Sequence, residues 1–127
     1  MKKLVLLFVV VMFTLTACGQ KVHENISEEV ATDTEQIISI TDKLSEENRD
    51  LSERERKVFD QYLMKYEIAR NELDSLTEEE YQVTRLTEHL IEGYEIYTIL
   101  AGDKEDYEAS KERIYRVMET GSIQIQP

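Results

Sequence analysis

Apolar residues between about 25 and 119 recur at the spacing of helices, with charged residues of both signs filling the gaps. Val30, Ile37, Leu44, Leu51 and Val58 fall every seven residues. Ile26 and Ile40 support the second half of that stripe, but Asp33, Glu47 and Arg54 interrupt it, so it is narrower than a coiled-coil seam. A first helix is predicted over 27–48, with Asn25 and Glu28 spaced as a capping box that satisfies free amides at its start. A second is predicted over 52–75, opened by Ser52 and Glu55. Val58, Phe59, Tyr62, Leu63, Tyr66, Ala69, Leu73 and Leu76 lie on one side of it at about 100° per residue. The stripe passes Ser52 without a break and no Gly or Pro intervenes, so one long rod is the alternative to two helices.

The third predicted helix has the clearest start. Thr77 and Glu80 make a capping box, Leu76 and Tyr81 occupy the positions of a hydrophobic staple, and Glu78, Glu79 and Glu80 suit the positive end of the helix dipole. Its expected apolar face is Val83, Leu86, Leu90, Tyr94, Tyr97 and Ala101, with Gly102 as the left-handed residue that ends it. Asp103 then caps a fourth helix to about Glu119, with Tyr107, Ile114, Val117 and Met118 facing inward and Gly121 as its stop. A connection as tight as Gly102-Asp103 folds the third and fourth helices into a hairpin. Strand-like alternation is confined to Ile123-Gln124-Ile125-Gln126, in a tail, 121–127, expected to be loose. The expected fold is all-α: a small antiparallel bundle of three or four helices over 27–120.

Ahead of the helices, Lys2 and Lys3 precede an unbroken apolar run from Leu4 to Phe13, too short to span a bilayer and of the length of a secretory signal. Leu15-Thr16-Ala17-Cys18 follows and resembles the lipobox of bacterial lipoproteins. The resemblance covers the first eighteen residues only. It implies a diacylglyceryl group on the Cys18 sulfur, removal of 1–17, frequent acylation of the new amino terminus, and a mature protein held at the cell membrane outside the cytoplasm. Residues 18–26 are then the lipidated cysteine and its tether, polar from Gly19 to about Glu24.

Charge narrows the partners. Residues 1–17 carry two lysines and no acid, so the remaining chain has 13 Lys plus Arg against 27 Asp plus Glu, a formal charge of −14. Nucleic acid is excluded as an expected partner, because phosphate recognition needs clustered cations. Electrostatic adsorption to anionic head groups is disfavoured for the same reason. The acidity is expected to keep an exported protein soluble, with a cationic partner or a loosely held divalent ion as the alternative. Cys18 is the only cysteine, so no disulfide contributes to stability.

No constellation points to a chemistry. His23 and His89 share no metal-ligand spacing, and His89 with Glu88 and Glu92 is an ordinary helix surface, so no metal or cofactor is expected. There is no nucleophile elbow, and the glycines at 19, 93, 102 and 121 are too scattered to cradle phosphate. Seven tyrosines and no tryptophan are unusual; at helical spacing, Tyr62 with Tyr66 and Tyr94 with Tyr97 are expected to pack their rings inward and leave their hydroxyls at the rim. Met64, Ile68, Ile96 and Ile99 fall away from the main apolar faces. Either the first helix covers them, or they form a surface for a protein partner or a second copy of the chain. The expectation is a non-enzymatic binding module at the membrane. A self-associating structural lipoprotein is the alternative, and an envelope hydrolase working through glutamates the enzymatic one.

Overall fold

A computed structural model describes residues 21–73, 75–100 and 104–123, with side chains at all of these except 94–100 and 104. Four α-helices account for most of it: α1 Glu28–Glu47, α2 Glu53–Asn71, α3 Glu78–Leu100 and α4 Lys104–Thr120. Each opens with carboxylates in its first turn, which places much of the acidity where helix dipoles favour it. Most of the described part of the predicted segment 25–119 is helical, and α3 and α4 form the closest-packed pair, as the hairpin required. α1 packs on α3, and α2 packs against both. The starts of α1 and α3 meet the finish of α4 at one end of the bundle, through Asn25 on Thr77 and Glu79 and through His23 on Met118. This is called the near end, and the opposite one the far end.

α1 and α2 are two helices and not one rod. Asn48 adopts φ 47° and ψ 50°, the left-handed conformation that closes a helix, and its N–H donates to the Leu44 carbonyl. Asparagine tolerates this conformation better than any residue except glycine, so the break occurs without Gly or Pro. Arg49 then locks the corner, donating to both carboxylate oxygens of Glu55 at 2.9 and 2.8 Å and also to Glu47. Glu55 simultaneously completes the predicted capping box with Ser52, at 3.0 and 3.2 Å. α2 stops at Asn71, short of the expected Ser75, and Leu73 lies beyond it, 97% exposed and not on the core face.

The core contains Val30, Ile37, Ile38 and Leu44 of α1, Phe59, Tyr62 and Tyr66 of α2, Val83, Leu90 and Ile91 of α3, and Ile114, Val117 and Met118 of α4. Four threonines, Thr34, Thr41, Thr84 and Thr87, are buried as completely as the aliphatics. Thr41, Thr84 and Thr87 donate to the carbonyls of Ile38, Tyr81 and Val83, which removes the penalty for burying a hydroxyl. In α1 the second buried row is thus Ala31, Thr34, Ile38 and Thr41, not the interrupted Asp33–Glu47 row. The buried side of α3 is turned by roughly 60° from the expected face, towards Thr84, Thr87 and Ile91, while Leu86 is only half-buried. Gly121 ends α4 as predicted, at φ 73°, with its N–H on the Val117 carbonyl at 2.8 Å. Tyr94, Tyr97 and the turn Ala101-Gly102-Asp103 lie outside the described side chains, and Gln124 to Pro127 outside the described residues.

Candidate functional site

Cys18 and the lipobox-like residues before it lie outside the described residues, but the chain from Lys21 does not. The polar tether expected to run to Glu24 is shorter than that. The His23 N–H donates to the Met118 carbonyl at 2.6 Å, and its own carbonyl accepts the Ile26 N–H at 3.0 Å. The imidazole lies so close over Gly121 that a Cβ there would sit 3.0 Å from its ring. Ile26 is buried in the core. The folded body therefore starts at His23.

The near end is organised by one carboxylate. Thr77 and Glu80 form the predicted box: the Glu80 N–H donates to Thr77 Oγ1 at 3.1 Å and the Thr77 N–H to Glu80 Oε2 at 3.0 Å. The other oxygen, Oε1, accepts the Ser27 N–H at 2.8 Å, so Glu80 caps the starts of α1 and α3 together. Glu80 is only 7% exposed. Burial pushes its carboxyl upward, but the amide bonds from Thr77 and Ser27 outweigh this and hold it below the ordinary glutamate value. The expected Asn25–Glu28 box is replaced. Ser27 is the N-cap, accepting from the Val30 N–H at 3.3 Å. Asn25 instead accepts from Thr77 Oγ1 at 2.7 Å and donates to Glu79 at 3.1 Å, because α3 presents better partners than the local chain.

Four of the tyrosines, Tyr62, Tyr66, Tyr107 and Tyr115, serve the packing of the bundle. Tyr62 and Tyr66 have ring centroids 4.6 Å apart, and both are buried. The Tyr62 hydroxyl pairs with Thr34 at 3.1 Å, and that of Tyr66 donates to Asp33 at 2.7 Å. Lys65 reaches Asp33 and Glu29 at 2.6 Å each. On the other flank of α1, the Tyr107 hydroxyl meets Thr41 at 2.8 Å and Asp42 at 2.7 Å, Lys111 meets Asp42 at 2.9 Å, and Tyr115 donates to Glu35 at 3.3 Å. Burial and the adjoining carboxylates raise the Tyr66 and Tyr107 phenols well above the usual range, and push Tyr115 up to about 12. A cleft of about 230 Å³ opens between α1 and α2 beside Asp33, Gln36, Gln61 and Lys65. Its two charges already neutralise each other, so what it offers a ligand is two amides and a narrow apolar floor.

Of the expected partner surface, Met64 and Ile68 stand one turn apart on the outward side of α2, 61% and 55% exposed. α1 does not cover them. Ile96 and Ile99 belong to α3, but their side chains lie outside those described. Sequence reading missed the Glu80 double cap, the Arg49 corner and the two tyrosine–aspartate–lysine sets. The members of the double cap and of the tyrosine sets are up to 69 residues apart, as in Asp42 with Lys111, so no local spacing announces them, whereas Arg49 finds Glu47 and Glu55 close by in the chain and depends on the Asn48 bend to reach both. Among the described residues no helix is long and apolar enough to cross a membrane. No protein-family model, curated protein or solved structure matches this chain.

Proposed function

We propose that this chain is a lipid-anchored, non-enzymatic binding module, held outside the cytoplasm by Cys18 and presenting the outward side of α2 to a protein or other envelope component. The observation that carries it is the docking of His23 on the end of α4. His23 is five positions after Cys18, a reach of about 17 Å at full extension. The body is then confined close to the bilayer with its long sides free, an arrangement suited to recognition at the membrane surface. Met64 and Ile68 are the apolar residues such a side offers. Acyl chains contribute about 0.8 kcal/mol per buried methylene, so two or more give a lasting anchor.

A labelled fatty acid is expected to enter the wild-type chain and not Cys18→Ala; equal labelling of both refutes the anchor. A photo-reactive residue at position 64 is expected to cross-link a defined species in the producing cells, whereas one at the exposed, polar Glu46 does not. A second reading, pairing of two copies through the same side of α2, rests on the adjacency of Met64 and Ile68. An adduct of twice the chain mass at position 64 selects it.

A further inference from the structure

We propose that the near end of the bundle is itself a membrane-seating surface, which rests on the lipid-anchor reading above and adds an orientation to it. Apolar side chains left in water gather there. Val22 is 37% exposed directly before the docked His23, Leu73 is 97% exposed in the α2–α3 connection, Tyr81 is 47% exposed in the first turn of α3, and Ile123 is 43% exposed just past α4. These positions come from four separate stretches of chain, and the contacts of His23 with Met118 and Gly121 and of Asn25 with Thr77 bring them to one end. At the far end, the described corner between α1 and α2 exposes Glu46, Glu47, Asn48, Asp50 and Glu53 instead.

The tether selects the occupant. Cys18 is four residues from Val22, about 14 Å at full stretch, so acyl chains on Cys18 bring this end, and not the far one, to the bilayer. A second copy does not fit the same surface. End-to-end pairing would point the two bodies in opposite directions, while both anchors must enter one membrane from one side. A lipid interface accepts scattered side chains of this kind, with aliphatic residues entering the acyl boundary and a tyrosine at head-group level. Glu24, Glu28, Glu72 and Glu78, close to these positions along the chain, are exposed too and outnumber the one exposed lysine there, Lys21. Those charges repel anionic head groups, so the surface fits zwitterionic lipid. α1 rises about 30 Å from this end, which sets the bundle upright on the membrane.

The test uses the full lipidated chain in phosphatidylcholine vesicles, with Cys18 acylated and a second cysteine carrying an environment-sensitive dye. Labels are placed separately through Leu73→Cys, Met64→Cys and Glu46→Cys. Flotation with the vesicles, lost in Cys18→Ala, reports the anchor. Quenching by brominated lipid in the same floated sample reports the seating. The expected result is a blue shift and loss of most emission for the label at 73, with the label at 46 unaffected and that at 64 little changed. Tyr81→Glu with Ile123→Glu returns the label at 73 to water without altering flotation or melting, and anionic lipid at low salt does the same to the parent. Equal quenching at 73 and 46, or quenching at 64 as strong as at 73, overturns the upright seating and leaves the anchor standing. A wild-type chain that does not float overturns both.

Discussion

Replacing Glu80 tests whether one side chain holds two helix starts together. Its carboxylate accepts the N–H groups of Thr77 and Ser27 at 3.0 and 2.8 Å and is 7% exposed. A hydrogen bond to a charged group contributes about 1.5–3 kcal/mol, but Ser27 and Thr77 are themselves exposed, so water recovers part of the loss. Glu80→Ala is therefore expected to cost about 2–4 kcal/mol. Glu80→Gln keeps one acceptor and turns an amide donor towards the other N–H, at a cost of about 1–2 kcal/mol, which lowers the melting temperature by roughly 5–15 °C. The neighbouring Glu79→Gln, whose amide oxygen can still accept the exposed bond from Asn25, stays within about 0.5 kcal/mol. The effect has a pH signature. The folded-state pKa of Glu80 lies below its unfolded value of about 4.3, so its contribution is complete above that value and is lost as pH falls through the folded one. Urea titrations of the three variants at neutral pH and at a series of acid values supply both readings. If Glu80→Gln matches Glu79→Gln in stability and in its acid profile, the shared cap contributes nothing and the reasoning fails.

Leu90→Asp places a charge at a site 4% exposed and is expected to abolish the cooperative melt seen by circular dichroism; a parent-like melt would show that the core is elsewhere. Met64→Lys with Ile68→Lys touches only exposed positions and is expected to keep the melting temperature while removing cross-linking at this side of α2; an unfolded variant would assign both residues to the core. Gly121→Ala is strained twice, by the φ of 73° and by the His23 ring at 3.0 Å, and is expected to cost about 1–2 kcal/mol. Combining it with His23→Ala relieves the contact but not the backbone, so full recovery would refute the backbone source of the strain. Tyr66 and Tyr107 have folded-state pKa values raised above the unfolded one, so the stability linked to them is present below about pH 10 and is lost as pH rises through the folded values. Ultraviolet titration is expected to show late-ionising phenols that appear only with unfolding; seven tyrosines titrating together near pH 10 in the folded protein would contradict this.

What the sequence determined by itself was set by neighbours a few residues apart. The boxes at Ser52–Glu55 and Thr77–Glu80, the stop at Gly121 and the inward faces of α2 and α4 follow from hydrogen bonds and periodicities that close within one or two turns. The resemblance of Leu15-Thr16-Ala17-Cys18 to a lipobox is likewise short and linear, and the lipid anchor it implies is a proposal. Tertiary structure decided the rest. Asn25 matched a local box, yet it turned to Thr77 and Glu79, more than 50 residues away, once α3 was beside it. α3 contacts α1, α2 and α4, so the side it buries is set by where three neighbours stand and not by its own strongest stripe, which is why Thr84, Thr87 and Ile91 are interior. Hydropathy cannot identify a threonine that hides its hydroxyl on a carbonyl of its own helix, nor a carboxylate whose second oxygen serves another helix. The threonine needs packing only to exclude the water, since its own helix supplies the acceptor, whereas the carboxylate needs packing to supply its second partner as well.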